Sequence, residues 1–89
     1  KEWQWSTYIE ELRKRDKHSV WHETRNELHG NETMSTLFWR RNIEHGYHID
    51  YVFGSKELTK RATIEIGTHQ EWLRHSDHAP LLLDIKPSA

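Results

Sequence analysis

Leu81-Leu82-Leu83-Asp84-Ile85, which follows Pro80, constrains this chain more than any other stretch. A near-continuous apolar run of that kind reads as a strand with both faces covered. Pro80 stands at its mouth, where a strand tolerates a residue without an N–H. Upstream, Tyr47 to Phe53 is a second strand, whose alternation sets Ile49, Tyr51 and Phe53 on one face and His48, Asp50 and Val52 on the other. Thr36-Leu37-Phe38-Trp39 starts a strand by its β-branched and aromatic content, and Thr63 to Ile66 is a short one stopped by Gly67. His45-Gly46 supplies a turn between the first two.

Ahead of the strands, Trp5, Tyr8, Ile9 and Leu12 form one stripe of an amphipathic helix, predicted from about Ser6 to Arg15. Thr7 with Glu10 reads as a capping box, and Arg13-Lys14-Arg15 suits the carbonyl end of the helix dipole. Asp16 to Ser35 is polar and aperiodic, a long loop expected to be pinned by Val20, Trp21 and Leu28, with a short helical turn near Val20 and a turn at His29-Gly30-Asn31. The expected fold class is therefore α+β, with about four mostly antiparallel strands and one or two helices.

The 89 residues make one small domain at most. With 34% hydrophobic residues the core must be thin, and it must lean on the five Trp, three Tyr and two Phe. There is no cysteine, hence no disulfide and no thiolate metal site, which fits a reducing, cytoplasmic setting. Thirteen basic against fourteen acidic side chains leave no sequence-wide electrostatic case for nucleic acid. No apolar run approaches the ~20 residues of a membrane span. The chain opens on Lys1-Glu2-Trp3 without methionine, and a longer parent protein is expected.

The stretch Ser76-Asp77-His78-Ala79-Pro80 brings an acid and an imidazole to the mouth of the last strand. A histidine exchanges protons near neutral pH, and a carboxylate on its other ring nitrogen fixes the tautomer. Asp77 and His78 are adjacent, so on extended backbone they point to opposite sides. Asp50, from another strand, is the better partner for His78. A further carboxylate such as Asp77 can hold a divalent cation through hard oxygen ligands. The other reading of this stretch is a polar turn leading into a strand.

Taken together, Thr36-Leu37-Phe38-Trp39, His48-Ile49-Asp50-Tyr51-Val52-Phe53, Trp72 and Ser76-Asp77-His78-Ala79-Pro80-Leu81 resemble the C-terminal part of the endonuclease/exonuclease/phosphatase superfamily, over about Val20 to Ile85. The resemblance implies half of a two-sheet sandwich, from a phosphoesterase, nuclease or phosphatase, that uses Mg2+ or Mn2+. It implies that His78 activates water or contacts the scissile phosphate. Asp50 would orient His78, and Asp77 would stand at the phosphate and metal centre, with the two aspartates' roles open to exchange. Such enzymes also need an asparagine, a metal-binding glutamate and a Gly-Asp-x-Asn group. This chain has no Gly-Asp-x-Asn. The fragment alone is therefore expected to be inactive. The inner face of its sheet should be open, to be covered by the missing half or by a second copy.

Eight histidines leave another class in play, a non-enzymatic binding or scaffold module that holds metal. His45-x-x-His48 and His75-x-x-His78 are closely spaced, with His69 nearby. Residues three apart on a strand face opposite ways, however, and scattered surface histidines are the favoured reading. Trp39 is the candidate for stacking on a substrate base, with Trp72 behind it; core or rim filling is the competing role for both. Arg40, Arg41, Lys56, Lys60 and Arg61 are phosphate contacts or, more simply, solvated charges.

Overall fold

The computed structural model describes residues 5–88; the opening Lys1-Glu2-Trp3 and the side chain of Trp5 lie outside the described residues. In chain order the elements are α1 (Trp5–Lys14), β1 (His18–Ser19), α2 (Val20–Arg25), β2 (Leu37–Phe38), a 3-10 turn (Trp39–Arg41), β3 (Gly46–Tyr47), β4 (Phe53–Gly54), α3 (Lys56–Lys60), β5 (Ala62–Ile66), α4 (His69–Trp72) and β6 (Leu81–Ile85). This is an α+β domain. Its strands pair antiparallel in three two-stranded sheets, β1 with β4, β2 with β3, and β5 with β6.

Helix α1 follows the stripe: Ile9 is buried, Leu12 half-buried and Tyr8 exposed. It is already running at Thr7, so the expected Thr7–Glu10 capping box does not form. Asp16, in left-handed backbone at φ 56°, turns the chain out of the helix. Its carboxylate accepts the Lys56 N–H at 2.9 Å and a ring N–H of His18 at 3.0 Å, tying the end of α1 to the start of α3. The Lys56 N–H is the main reason Asp16 stays below the ordinary carboxylate range.

The core is built where the sequence is most polar. Val20 and Trp21 of α2 are 0% and 1% exposed and pack with Phe38, Ala79 and the inward-facing Ala62, Ile64 and Ile66 of β5. The Trp21 indole donates to Glu27 at 2.9 Å, and Arg25 lies over its ring at 4.0 Å while donating to the Ile64 carbonyl. Leu28, expected as a second pin of this segment, is 71% exposed. The turn after it carries the chain over the surface through Gly30 at φ 95°, and Leu28 stays outside.

Strand β5 alternates as its sequence demands, with Thr63 and Glu65 outward. Its partner β6 departs from expectation. Leu82, Leu83 and Ile85 are 50%, 40% and 37% exposed, so the apolar run is covered on neither face along most of its length. Among the described residues β5 is its only neighbour, which leaves an apolar edge strand facing water.

The predicted Tyr47 to Phe53 strand is present only at its ends. Between β3 and β4 the backbone bonds elsewhere: the N–H groups of Ile49 and Asp50 both go to the Thr36 hydroxyl, at 3.0 and 3.1 Å, and the Val52 carbonyl takes the Val20 N–H at 2.8 Å. These groups are lost to ladder pairing, and Ile49 ends up 48% exposed. The strand predicted from Thr36 likewise stops at Phe38. Trp39 opens the 3-10 turn, where Arg40 and Arg41 stand in left-handed backbone at φ 53° and 60°. That turn returns the chain to Gly46, which pairs with Phe38. A Cβ on Gly46 would sit 2.4 Å from the Ser35 hydroxyl, so only glycine fits there.

Candidate functional site

Thr36 is the residue that assembles the site. It is fully buried, and four of its hydrogen bonds run in two directions. Towards the middle of the chain its N–H donates to the Tyr47 carbonyl at 2.9 Å and its hydroxyl accepts from Ile49 and Asp50. Towards the end, its carbonyl accepts the Ala79 N–H at 2.8 Å. Next to it, Leu37 bridges His78 in antiparallel register and Phe38 N–H donates to the Asp77 carbonyl at 2.7 Å. Two segments twenty-eight residues apart are thereby laid against one short strand.

The consequence is a dyad. His78 Nδ1 lies 2.9 Å from Asp50 Oδ2. A carboxylate only accepts, so Nδ1 carries the donated proton and Nε2 is left as the basic atom of the ring. Both side chains are partly open to water, 49% exposed for His78 and 39% for Asp50. The His78 N–H is held by the Ser76 hydroxyl at 3.0 Å, which fixes the backbone from which the ring projects.

Asp77 is half-buried, and among the described residues its carboxylate makes no hydrogen bond or ion pair. It belongs to no described group of three His, Asp or Glu donors within metal-binding range. Magnesium demands near-octahedral oxygen coordination. Among the described residues no other His, Asp or Glu donors gather round Asp77 to complete such a site.

Trp39 is 54% exposed at the start of the turn next to β2, with Arg40 at 6.0 Å from its ring. Arg41 reaches the His75 carbonyl at 3.5 Å, close in sequence to His78. This turn therefore borders the segment that carries the dyad. Trp72 serves as rim filling: its indole sits where a Cβ on Gly67 would be, 2.6 Å away, with Pro80 beside it. Arg61 is spent on Glu57 and the Lys86 carbonyl.

His22, His29 and His48 come together, whereas His45, His75 and His78 are exposed. His22, 2% exposed, has Nδ1 at 2.6 Å from the Ser19 hydroxyl and Nε2 at 2.6 Å from Glu32 Oε2. His29 stacks on it, ring centroids 3.6 Å apart. His48 Nδ1 donates to the Met34 carbonyl at 2.9 Å. Burial, and after it the nearby His22, push His29 down to about 4. Glu32 moves down despite burial, because His22 and the Gly30 N–H bond to its charged form. Tyr51 moves up through burial, with Glu32 and Asp50 adding to it. Sequence spacing missed this group because its members come from a helix, a turn and an irregular segment. The one available signal was a histidine directly after the two most apolar residues of the polar loop, Val20 and Trp21.

No family model, curated protein or solved structure matches this chain.

The Thr36 hydroxyl supports a prediction. Thr36→Val keeps the shape and strands the N–H groups of Ile49 and Asp50, and a stranded buried donor costs about 1–3 kcal/mol. We expect a loss of about 2 kcal/mol, read as a lower urea midpoint at constant slope, with Thr36→Ser close to wild type. Equal stability of Thr36→Val and wild type would remove the hydroxyl from this role.

Proposed function

We propose that this chain is the C-terminal part of a divalent-metal-dependent phosphoesterase, a nuclease or phosphatase of the endonuclease/exonuclease/phosphatase kind. The observation that carries the reading is the 2.9 Å contact between His78 and Asp50, formed between segments the superfamily resemblance had singled out. Asp50 orients the imidazole and fixes the tautomer that leaves Nε2 free. His78 presents Nε2 to an attacking water or to the scissile phosphate of a phosphodiester or phosphomonoester, nucleic acid among them. Trp39, exposed beside this segment, would offer its ring to the substrate.

The bound metal, Mg2+ or Mn2+, would stabilise charge on the phosphoryl oxygens. Asp77 contributes one carboxylate to that centre, and the remaining donors belong to residues outside the chain. The isolated 89-mer is accordingly expected to be inactive. The exposed apolar side chains of β6 fit the same reading: the rest of the domain covers them, or a second copy does when that half is missing. A cytoplasmic setting belongs to the proposal too. Among the described residues no helix is long and apolar enough to cross a membrane.

The natural coding sequence upstream of Lys1 tests this directly. It is expected to encode in frame an asparagine, a glutamate and a Gly-Asp-x-Asn segment. A start codon immediately before Lys1 would favour a non-enzymatic module instead.

A further inference from the structure

We infer that His22, Glu32 and His48 form a binding site for a zinc-class transition-metal ion, separate from the His78–Asp50 dyad. One nitrogen of each imidazole and a carboxylate oxygen of Glu32 all lie within 4.8 Å of one another. Two nitrogens and one oxygen form a donor set suited to zinc, and mismatched to magnesium.

The second nitrogens carry the argument. A metal-bound histidine characteristically gives its other ring N–H to an oxygen, which fixes the tautomer and the ring's aim. His48 does so now: Nδ1–H is committed to the Met34 carbonyl, so Nε2 must be the lone-pair nitrogen. That Nε2 is buried and meets no hydrogen-bond partner among the described residues. A buried acceptor left unsatisfied is a cost to the fold, and a metal bound at that nitrogen would remove it. His22 is built the same way, because its Nδ1 faces the Ser19 hydroxyl at 2.6 Å. Moving the ring proton from Nε2 to Nδ1 frees Nε2 for a metal and makes Ser19 the acceptor.

The geometry requires only side-chain adjustment. A tetrahedral zinc with bonds of ~2.0–2.2 Å spaces its ligands roughly 3.3–3.6 Å apart. The His22–Glu32 contact at 2.6 Å must open by less than an ångström or so, and the third donor must swing inward. Both Glu32 oxygens accept the Gly30 N–H at 3.1 Å, so one can go to the ion while the other keeps that bond. A cavity of about 290 Å³, lined by Gly30, Glu32, Ser35 and His48 among others, reaches two of the three donors from outside and has room for a water as the fourth ligand. Bound there, the ion would clamp α2 and the turn after it to the segment that leads into Asp50.

The test uses the chain freed of metal with a chelator, then titrated with Zn2+ against a colorimetric competitor and with Co2+ in the visible range. One equivalent of metal should bind, with the strong absorption of four-coordinate Co2+ and a raised melting temperature. Glu32→Gln keeps the hydrogen bond from His22 and should weaken Zn2+ binding by at least ~10–100-fold, as should His48→Gln. His45→Ala and His75→Ala should bind as wild type does. If either site variant fails to fold, imidazole 15N shifts of the wild type decide: His22 and His48 must move on adding Zn2+, and His45 and His75 must not. Absence of binding by the wild type, wild-type affinity in both site variants, or loss of binding in His45→Ala or His75→Ala would overturn the inference.

Discussion

His78→Ala, placed in the full-length parent protein, should lower kcat by about 10²–10⁴-fold, the range supplied by a positioned acid–base group. The fold should survive, because the ring is half exposed and its one described side-chain bond is to Asp50. Asp50→Asn should lose a large part of the same factor. Its amide oxygen can still accept the Nδ1–H, but a neutral amide makes a weaker bond than a carboxylate and can turn its NH2 to the ring instead, so it holds the imidazole less firmly. The two substitutions should therefore be far from additive: once the imidazole is gone, Asp50 has nothing to orient. Unchanged circular dichroism with a kcat loss in both single variants, and little further loss in the double, is the expected result. Wild-type turnover by His78→Ala would take the dyad out of the mechanism.

The pairing of Asp50 with His78 over Asp77 followed from the two-residue period of extended chain, and the geometry places those two side chains together. The helix stripe was readable because α1 obeys one period throughout, and β5 was readable for the same reason. Two readings went wrong where the backbone bonds to side chains or turns sharply, and a third where a strand lacks cover. Tyr47 to Phe53 alternates like a strand, but Thr36 takes two of its N–H groups. Trp39 looks like strand, but the chain turns there through left-handed Arg40 and Arg41. β6 reads as covered on both faces, yet among the described residues β5 alone pairs with it and most of its side chains are exposed. The histidine group escaped because ligand spacing in sequence is informative only within one regular element, and this group spans several.

The polar loop between α1 and β2 holds the other lesson. Val20 and Trp21 are the centre of the core, since in so hydrophilic a chain one large ring must fill what several aliphatic residues usually fill. Glu27 shows how the surrounding polarity is used. It accepts from the Trp21 indole, the Thr33 hydroxyl and the Thr33 N–H, so a single carboxylate closes the loop over the indole.

Trp21→Ala should accordingly be the most damaging substitution to the fold. The ring is 1% exposed at the junction of α2, β5 and the Phe38–Ala79 contact. Removing a buried aromatic costs about 3–5 kcal/mol through lost transfer energy and the cavity left behind. Domains in general hold only about 5–15 kcal/mol, and a thin core belongs at the low end. The variant is expected to be largely unfolded at room temperature by far-ultraviolet circular dichroism. Trp21→Phe separates packing from bonding: it keeps most of the ring, gives up the indole N–H, and should cost about 1–2 kcal/mol. Glu27 adds a pH signature. The Thr33 hydroxyl first, and the Trp21 N–H after it, hold its carboxyl below the ordinary range against the effect of burial. Its folded pKa is thus depressed, so its contribution is present above the ordinary glutamate pKa and is lost as pH falls through the lowered value. Trp21→Phe should therefore lose stability less steeply than wild type over that acid interval, because one of the bonds that favour the ionised carboxylate is already gone. Parallel acid limbs for the two proteins in urea titrations would show that the indole bond does not contribute to the coupling.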